Sequence, residues 1–281
     1  MSLGRRLRWV RANLAACLGL VLLAGVLGLA TLGPVLHRGD PWERVGRRFE
    51  TPGGRFALGT DHQGRDVLAG IVVGARTSLL VGVAAAAIIL VIGVTVGAVA
   101  GYHGGRLDEV LMRVTEFFQI LPAFLFAMVL VAIFSPRIAV IVLAIGVSNW
   151  AGTARLVRAE FLSLRERDYV VAARALGVGD ARIIRREILP NALPPVIVNG
   201  SLTVGVAILF ETGLSFLGLA DPNVMSWGYM IGSSRIYLRD AWWPVTFPGL
   251  AIAGSVIGLS LFGDWLNDVL NPRLKERRQT A

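Results

Sequence analysis

Apolar residues gather into six runs along the chain, near 14–36, 79–100, 117–135, 138–154, 192–218 and 245–266, with polar or charged intervals between them. A helix needs about 20 apolar residues to cross a ~30 Å hydrocarbon core, and only a segment that satisfies its own backbone polar groups can do so. The pattern therefore predicts an all-α membrane protein with six transmembrane helices. The first run follows the basic stretch RRLRWVR, residues 5–11. Secretory signal peptides share that layout, but their apolar part is about 7–15 residues and leads to a small-residue cleavage site. Residues 14–36 exceed that length and no clear Ala-x-Ala site follows, so the run is read as a retained span.

The interval 155–190 is far longer than a simple helix–helix connection and has a helical period of its own. Leu164, Tyr169, Ala172, Ala173 and Leu176 recur at spacings compatible with one face. Gly177 follows, the residue type that most readily ends a helix in a left-handed turn. Asp180 is placed to cap a second short helix carrying Ile183, Ile184 and Ile188, and Pro190 marks the start of the next span. The segment reads as helix, glycine turn, helix, proline, with an apolar face outside the membrane that must meet protein. Periodicity alone leaves two partners open: the ends of the chain's own membrane helices, or another polypeptide.

Composition strengthens the membrane reading. Hydrophobic residues make up 54% of the 281, mean hydropathy is +0.64 and only 17% are charged, against about 25% in soluble proteins. The net charge is +9, nearly all from arginine, with Lys275 the single lysine. The arginines lie between apolar runs and not in a basic stripe interleaved with aromatics, which suits membrane lipid with anionic headgroups and argues against nucleic acid. They also orient the spans. With both termini cytoplasmic, the inner segments hold 18 of the Lys and Arg residues and the outer segments 10. Cys17 stands alone, so no intrachain disulfide forms, and His37, His62 and His103 are scattered without metal-ligand spacing. Glycines four apart, Gly93, Gly97 and Gly101 in the second run and Gly254 with Gly258 in the sixth, predict close helix crossings.

Few polar groups fall inside the runs. Glu211 is an intramembrane acid and by default a functional candidate, here for the substrate path together with Asn199. Asn199 and Gln119 also suit hydrogen bonds between helices. Trp227, Trp242 and Trp243 flank the last outer loop and read as interfacial anchors. In LGTDHQGRD, residues 58–66, Asp61 and Asp66 are better explained by turn and helix-start roles than by a metal site with His62. Ser215 lies near glycines in GLSFLG, but a nucleophile needs a base and no histidine falls in any run. No GxxxxGK[ST] phosphate loop occurs, and GYHGGR at 101–106 lacks the lysine and reads as a turn. The chain is thus read as neither an enzyme nor an ATPase. An ion-coupled transporter would carry several intramembrane ionisable groups, and Glu211 is the only firm one.

The segment from Val171 to Pro190 resembles the "EAA" loop of the permease subunits of binding-protein-dependent ABC importers, whose pattern is E-A-A, three residues, Gly, nine residues, I-x-L-P. Ala172, Ala173, Gly177, Leu189 and Pro190 fall in register, while Val171 replaces the glutamate and Glu187 the isoleucine. The blocks LGTDHQGRDVLAGIVVGARTSLLVG (58–82), EFLSLRERDYVVAARALG (160–177), ILPNALPP (188–195), ETGLSFLGL (211–219), WWPVTFPGLAI (242–252) and GDWLNDVLNPRL (263–274) are similar to the C-type permease of dipeptide, oligopeptide and nickel importers. Trp265, Asn267 and Asn271 depart from that family's usual form.

The resemblance implies a type I ABC importer permease fold in the cytoplasmic (inner) membrane. Residues 1–78 would hold a basic head, the first span and an outer loop, and 79–281 a five-helix permease core with a coupling loop at 155–190. The expected partners are a second homologous permease subunit, two cytoplasmic ATPase subunits that bind ATP and Mg, and an extracytoplasmic substrate-binding protein. No cofactor is expected on this chain. A coupling helix around 172–186, bent at Gly177, would seat in the ATPase. The expected cargo is a di- or oligopeptide; nickel or another small solute is the alternative.

Overall fold

The computed structural model describes residues 14–37 and 39–270. The basic head at 5–11, the chain from Asn271 with Lys275, and with them both termini, lie outside the described residues. The chain is all-α: α1 (Leu14–Thr31), α2 (Gly33–Leu36), α3 (Val67–His103), α4 (Gly105–Ile120), α5 (Ala123–Phe134), α6 (Ile138–Leu164), α7 (Asp168–Ala175), α8 (Asp180–Ile183), a π-helical turn (Ile184–Ile188), α9 (Leu189–Phe216), α10 (Trp227–Ser234) and α11 (Trp243–Leu270).

Five helices among the described residues are long and apolar enough to cross a membrane: α1, α3, α6, the continuous 180–216 stretch and α11. A sixth span exists only if α4 and α5, bent by 83° at their junction, count as one. The third apolar run is therefore not a straight span. Pro122 is the cause: Leu121 before it is extended (φ −68°, ψ 129°), the conformation that a following proline favours. Ahead of the break α4 is amphipathic, with Arg106, Asp108, Glu109, Arg113 and Glu116 among its apolar residues.

The second span is longer than its apolar run. It starts at Val67 and not near 79, with Asp66 as its cap, Oδ1 accepting from the Leu68 N–H at 2.9 Å. The turn and helix-start roles read for this stretch hold, since Asp61 Oδ1 accepts from the N–H groups of Gln63 (2.7 Å) and Arg65 (2.9 Å). The added turns are buried under protein. Ser78 Oγ accepts from the Trp227 N–H at 3.1 Å, and the Trp227 indole donates to the Ile71 carbonyl at 3.0 Å. Trp243 is likewise buried, donating to the Thr60 carbonyl at 3.0 Å. These two tryptophans are core bolts and not interfacial anchors, because each indole N–H finds a backbone carbonyl inside the protein. Trp242 is half exposed, as an anchor would be.

The α3 row makes a close crossing along its length, and in α11 Gly258 does so while Gly254 reaches only ordinary contact with Leu22 at 3.9 Å. Gly93, Gly97 and Gly101 of α3 lie against Thr153, Ala154, Val157, Arg158 and Phe161 of α6. Gly258 of α11 meets Leu22 and Leu23 of α1, and Gly19 of α1 meets Leu261. Asn199 Nδ2 donates to Thr153 Oγ1 at 3.0 Å, tying α9 to α6 as interhelical polar glue. Segment 39–66 folds back on α10 and the turn after it, with Trp42 against Tyr229, and Phe49 and His62 both against Tyr237.

Candidate functional site

The elbow between α6 and α9 starts with α7. Asp168 in its first turn and Arg174 in its last both suit the helix dipole. The helix closes on Gly177, whose φ is +75° and whose N–H reaches the Arg174 carbonyl at 3.0 Å, while the Val178 N–H reaches that of Ala173 at 3.1 Å. A side chain is strained at that φ. Gly179 is extended and precedes α8. The chain then widens into the π turn, in which the Leu189 N–H bonds the Ile184 carbonyl. Widening accommodates Pro190, which has no N–H and whose ring would collide with a carbonyl four residues back in a regular helix. Asn191 Nδ2 donates to the Glu187 carbonyl at 2.6 Å. Pro190 therefore leads into α9 through a continuous wall of helix.

The two partners left open by periodicity correspond to two faces of this elbow. Val170, Ile183 and Ile188 are fully buried among Ala98, Tyr102, Val157, Phe161, Ala192 and Val196, the ends of α3, α6 and α9. Ala173, Val178, Ile184 and Leu189 pack partly against the same cluster. The other face is open: Tyr169 is 41% exposed and Leu176 83%, with Ala172 exposed between them. Residues 169, 172 and 176 share one side of a helix, so an apolar stripe is left without a partner among the described residues.

Ala172, Ala173, Gly177, Leu189 and Pro190 thus share one elbow, with Ala173 and Leu189 toward the core and Ala172, Gly177 and Pro190 outward. Glu211 and Asn199 are not beside it or each other. Both lie on α9, about 18 Å apart along its axis. Glu211 is 1% exposed, its Oε1 accepting from Ser226 Oγ at 2.7 Å and Ser215 Oγ at 3.0 Å. Ser226 also caps α10, accepting from the Tyr229 N–H at 3.0 Å. The other carboxylate oxygen, Oε2, rests against Gly228, where any Cβ would stand 2.6 Å away. Glu211 thereby locks the start of α10 to the outer part of α9.

Sequence reasoning missed the polar ties under the elbow. Asp180 does not cap its own helix: it is the first residue of α8, and Gly179, which has no side chain to offer, is the N-cap. Instead Asp180 Oδ1 accepts from the Tyr102 hydroxyl at 2.6 Å. The Arg174 guanidinium lies 5.5 Å over the Tyr102 ring, and Arg165 Nη1 donates to the carbonyls of Gly101 (3.1 Å) and Tyr102 (3.4 Å). Nearby, Arg158 grips Asp108 with two bonds of 2.5 and 2.6 Å, joining α6 to α4. A tyrosine and an arginine dozens of residues apart give no periodic signal.

Residues 93–276 match the family of binding-protein-dependent transport system inner membrane components. The chain belongs to that family. Similar curated proteins span nearly all of this permease. A dipeptide transport system permease protein of Alkalihalophilus pseudofirmus is 38% identical over 268 residues, covering 95% of this chain and 88% of its own. A di/tripeptide transport system permease protein of Pseudomonas aeruginosa is 38% identical over 271 residues (94% and 89%). An oligopeptide transport system permease protein of Bacillus subtilis is 34% identical over 268 residues (95% and 88%). The matched family region holds the whole elbow and the glycine crossing that supports it.

Proposed function

We propose that this permease carries peptides inward across the cytoplasmic membrane as half of a two-permease pathway, driven by ATPase subunits that dock on the elbow. The observation that carries the coupling reading is the stripe of Tyr169, Ala172 and Leu176, unpartnered among the described residues, on an element whose opposite face is bolted to α3, α6 and α9. An exposed apolar patch on a rigid support is what a protein partner fits, and a packed element transmits a rigid-body push where a loose loop would absorb it. ATP and Mg belong to the ATPases, whose dimerisation would shift the permease pair between its conformations by favouring one of them. Both termini lie on the cytoplasmic side in this reading, in keeping with the arginine distribution. The names of the relatives support di- and oligopeptides as cargo, presented by an extracytoplasmic binding protein.

The test is Ala172→Arg. Residue 172 is exposed whereas Ala173 is half-buried, so arginine at 172 blocks docking without entering the core. The expected result is a permease that inserts normally, no longer co-purifies with its ATPases and no longer supports peptide uptake. Unchanged uptake would overturn the coupling role, and uptake of nickel but no peptide would overturn the cargo.

A further inference from the structure

We propose that Tyr102 and Asp180 form a strut that fixes the far half of the elbow to the end of α3, making them positioning residues for energy coupling. The proposal rests on the reading of the elbow as the ATPase-docking element and adds the part that stiffens it. Gly177 and Gly179 bracket a joint between α7 and α8, and glycine leaves the backbone the widest freedom there. The first half of the elbow is held by Val170 and Arg165. Beyond the joint, α8 is the first turn of the continuous 180–216 stretch, an end turn that has no preceding turn to hold it. Ile183 anchors its end through the core, and Asp180 is what anchors its start.

The local chemistry points the same way. Asp180 follows the N-cap Gly179, and its carboxylate accepts from the Tyr102 hydroxyl at 2.6 Å, across 78 residues of chain. The distance is that of a charge-assisted O–H···O⁻ bond. The ring that carries the hydroxyl is 6% exposed and covered by Arg174 of α7. One tyrosine therefore touches both halves of the elbow, α7 through its face and α8 through its hydroxyl. Without the strut, this first turn would part from the end of α3 while Ile183 stayed buried, and a push on the elbow would be lost in that movement.

The experiment uses the full reconstituted transporter, with binding protein and peptide, and measures ATP hydrolysis and peptide uptake together. Tyr102→Phe keeps the ring and removes only the hydroxyl; Asp180→Ala removes the acceptor; Asp180→Asn keeps an acceptor oxygen. Tyr102→Phe and Asp180→Ala are expected to lower peptide carried per ATP by about tenfold, the scale on which one charge-assisted hydrogen bond biases a geometry. The double variant is expected to be no worse than either single one, and Asp180→Asn to fall between wild type and Asp180→Ala. Co-purification of the ATPases is expected to persist throughout. Unchanged peptide per ATP in Tyr102→Phe, additive losses in the double variant, or equal losses in Asp180→Asn and Asp180→Ala would each overturn the strut. Its failure is distinct from failure of the docking reading, in which Ala172→Arg would leave ATPase co-purification intact.

Discussion

Gly97→Ala places a methyl group where α3 and α6 cross. A Cβ there would stand 2.8 Å from Val157 Cβ and 3.0 Å from the Arg158 nitrogen, and closer still to the Ala154 carbonyl oxygen. Carbon–carbon contacts settle at about 3.5–4.0 Å, so the helices must part by roughly 0.7–1.2 Å at this level. Two of the three obstacles are backbone atoms, which cannot swing aside. Overpacking of this kind costs about 1–3 kcal/mol, offset by about 1 kcal/mol that alanine gains over glycine in a helix. The net loss expected is about 0–2 kcal/mol. Gly28→Ala separates the two effects, since nothing lies within 4 Å of a Cβ at Gly28 and only the propensity gain remains. Thermal unfolding of the purified permease in detergent is the assay. Gly97→Ala should lower the midpoint by up to about 8 °C and hold it below that of Gly28→Ala, which should be level or raised. A Gly97→Ala midpoint equal to that of Gly28→Ala would refute the close crossing as a source of stability.

Three further outcomes are expected. Glu211→Leu strands two buried hydroxyls, Ser215 and Ser226, at about 1–3 kcal/mol each; limited proteolysis should then cut between α9 and α10, with Glu211→Gln less affected. Arg158→Ala leaves Asp108, whose side chain is 13% exposed, without its cation; a loss of about 3 kcal/mol is expected, and Asp108→Asn in that background should recover part of the melting temperature. Burial holds the His62 pKa below its ordinary value, with Asp61 opposing and Arg65 and Arg48 assisting. His62 is then neutral in the folded cap, and its contribution is present above pH about 6.5 and lost as pH falls through the depressed value. Hydrogen-exchange protection across 58–66, corrected for the intrinsic pH dependence of amide exchange, should fall between pH 7.5 and 5, and His62→Gln should flatten that change.

Long-period hydropathy, glycine spacing and the Gly177 turn were legible because each acts through its own neighbours. The limits of that reading have identifiable causes. The break at Leu121 and Pro122 hides inside an apolar run, since hydropathy is blind to backbone geometry; the proline itself was the available signal. The extension of α3 back to Val67 is masked by Arg76, Thr77 and Ser78, of which Ser78 is buried and accepts from the Trp227 N–H while Arg76 is exposed. Trp227 and Trp243 look interfacial by position, and only the fold reveals the carbonyls their indoles reach. Asp180 shows the limit most clearly. Its sequence context fits a helix cap, and the competing donor came from a tyrosine on another helix. At the elbow, the motif positions Ala172, Ala173, Gly177, Leu189 and Pro190 were readable as a group, while their division into an inward and an outward set needed the packing.

The most direct measurement of the coupling account is photo-cross-linking from position 176 in intact cells. Leu176 is 83% exposed on the open stripe of the elbow. A photoreactive residue there should capture a nucleotide-hydrolysing subunit, and one at exposed Leu238, in the segment between α10 and α11, should not. Adducts from position 176 confined to this chain or to lipid, with the transporter active, would contradict the account.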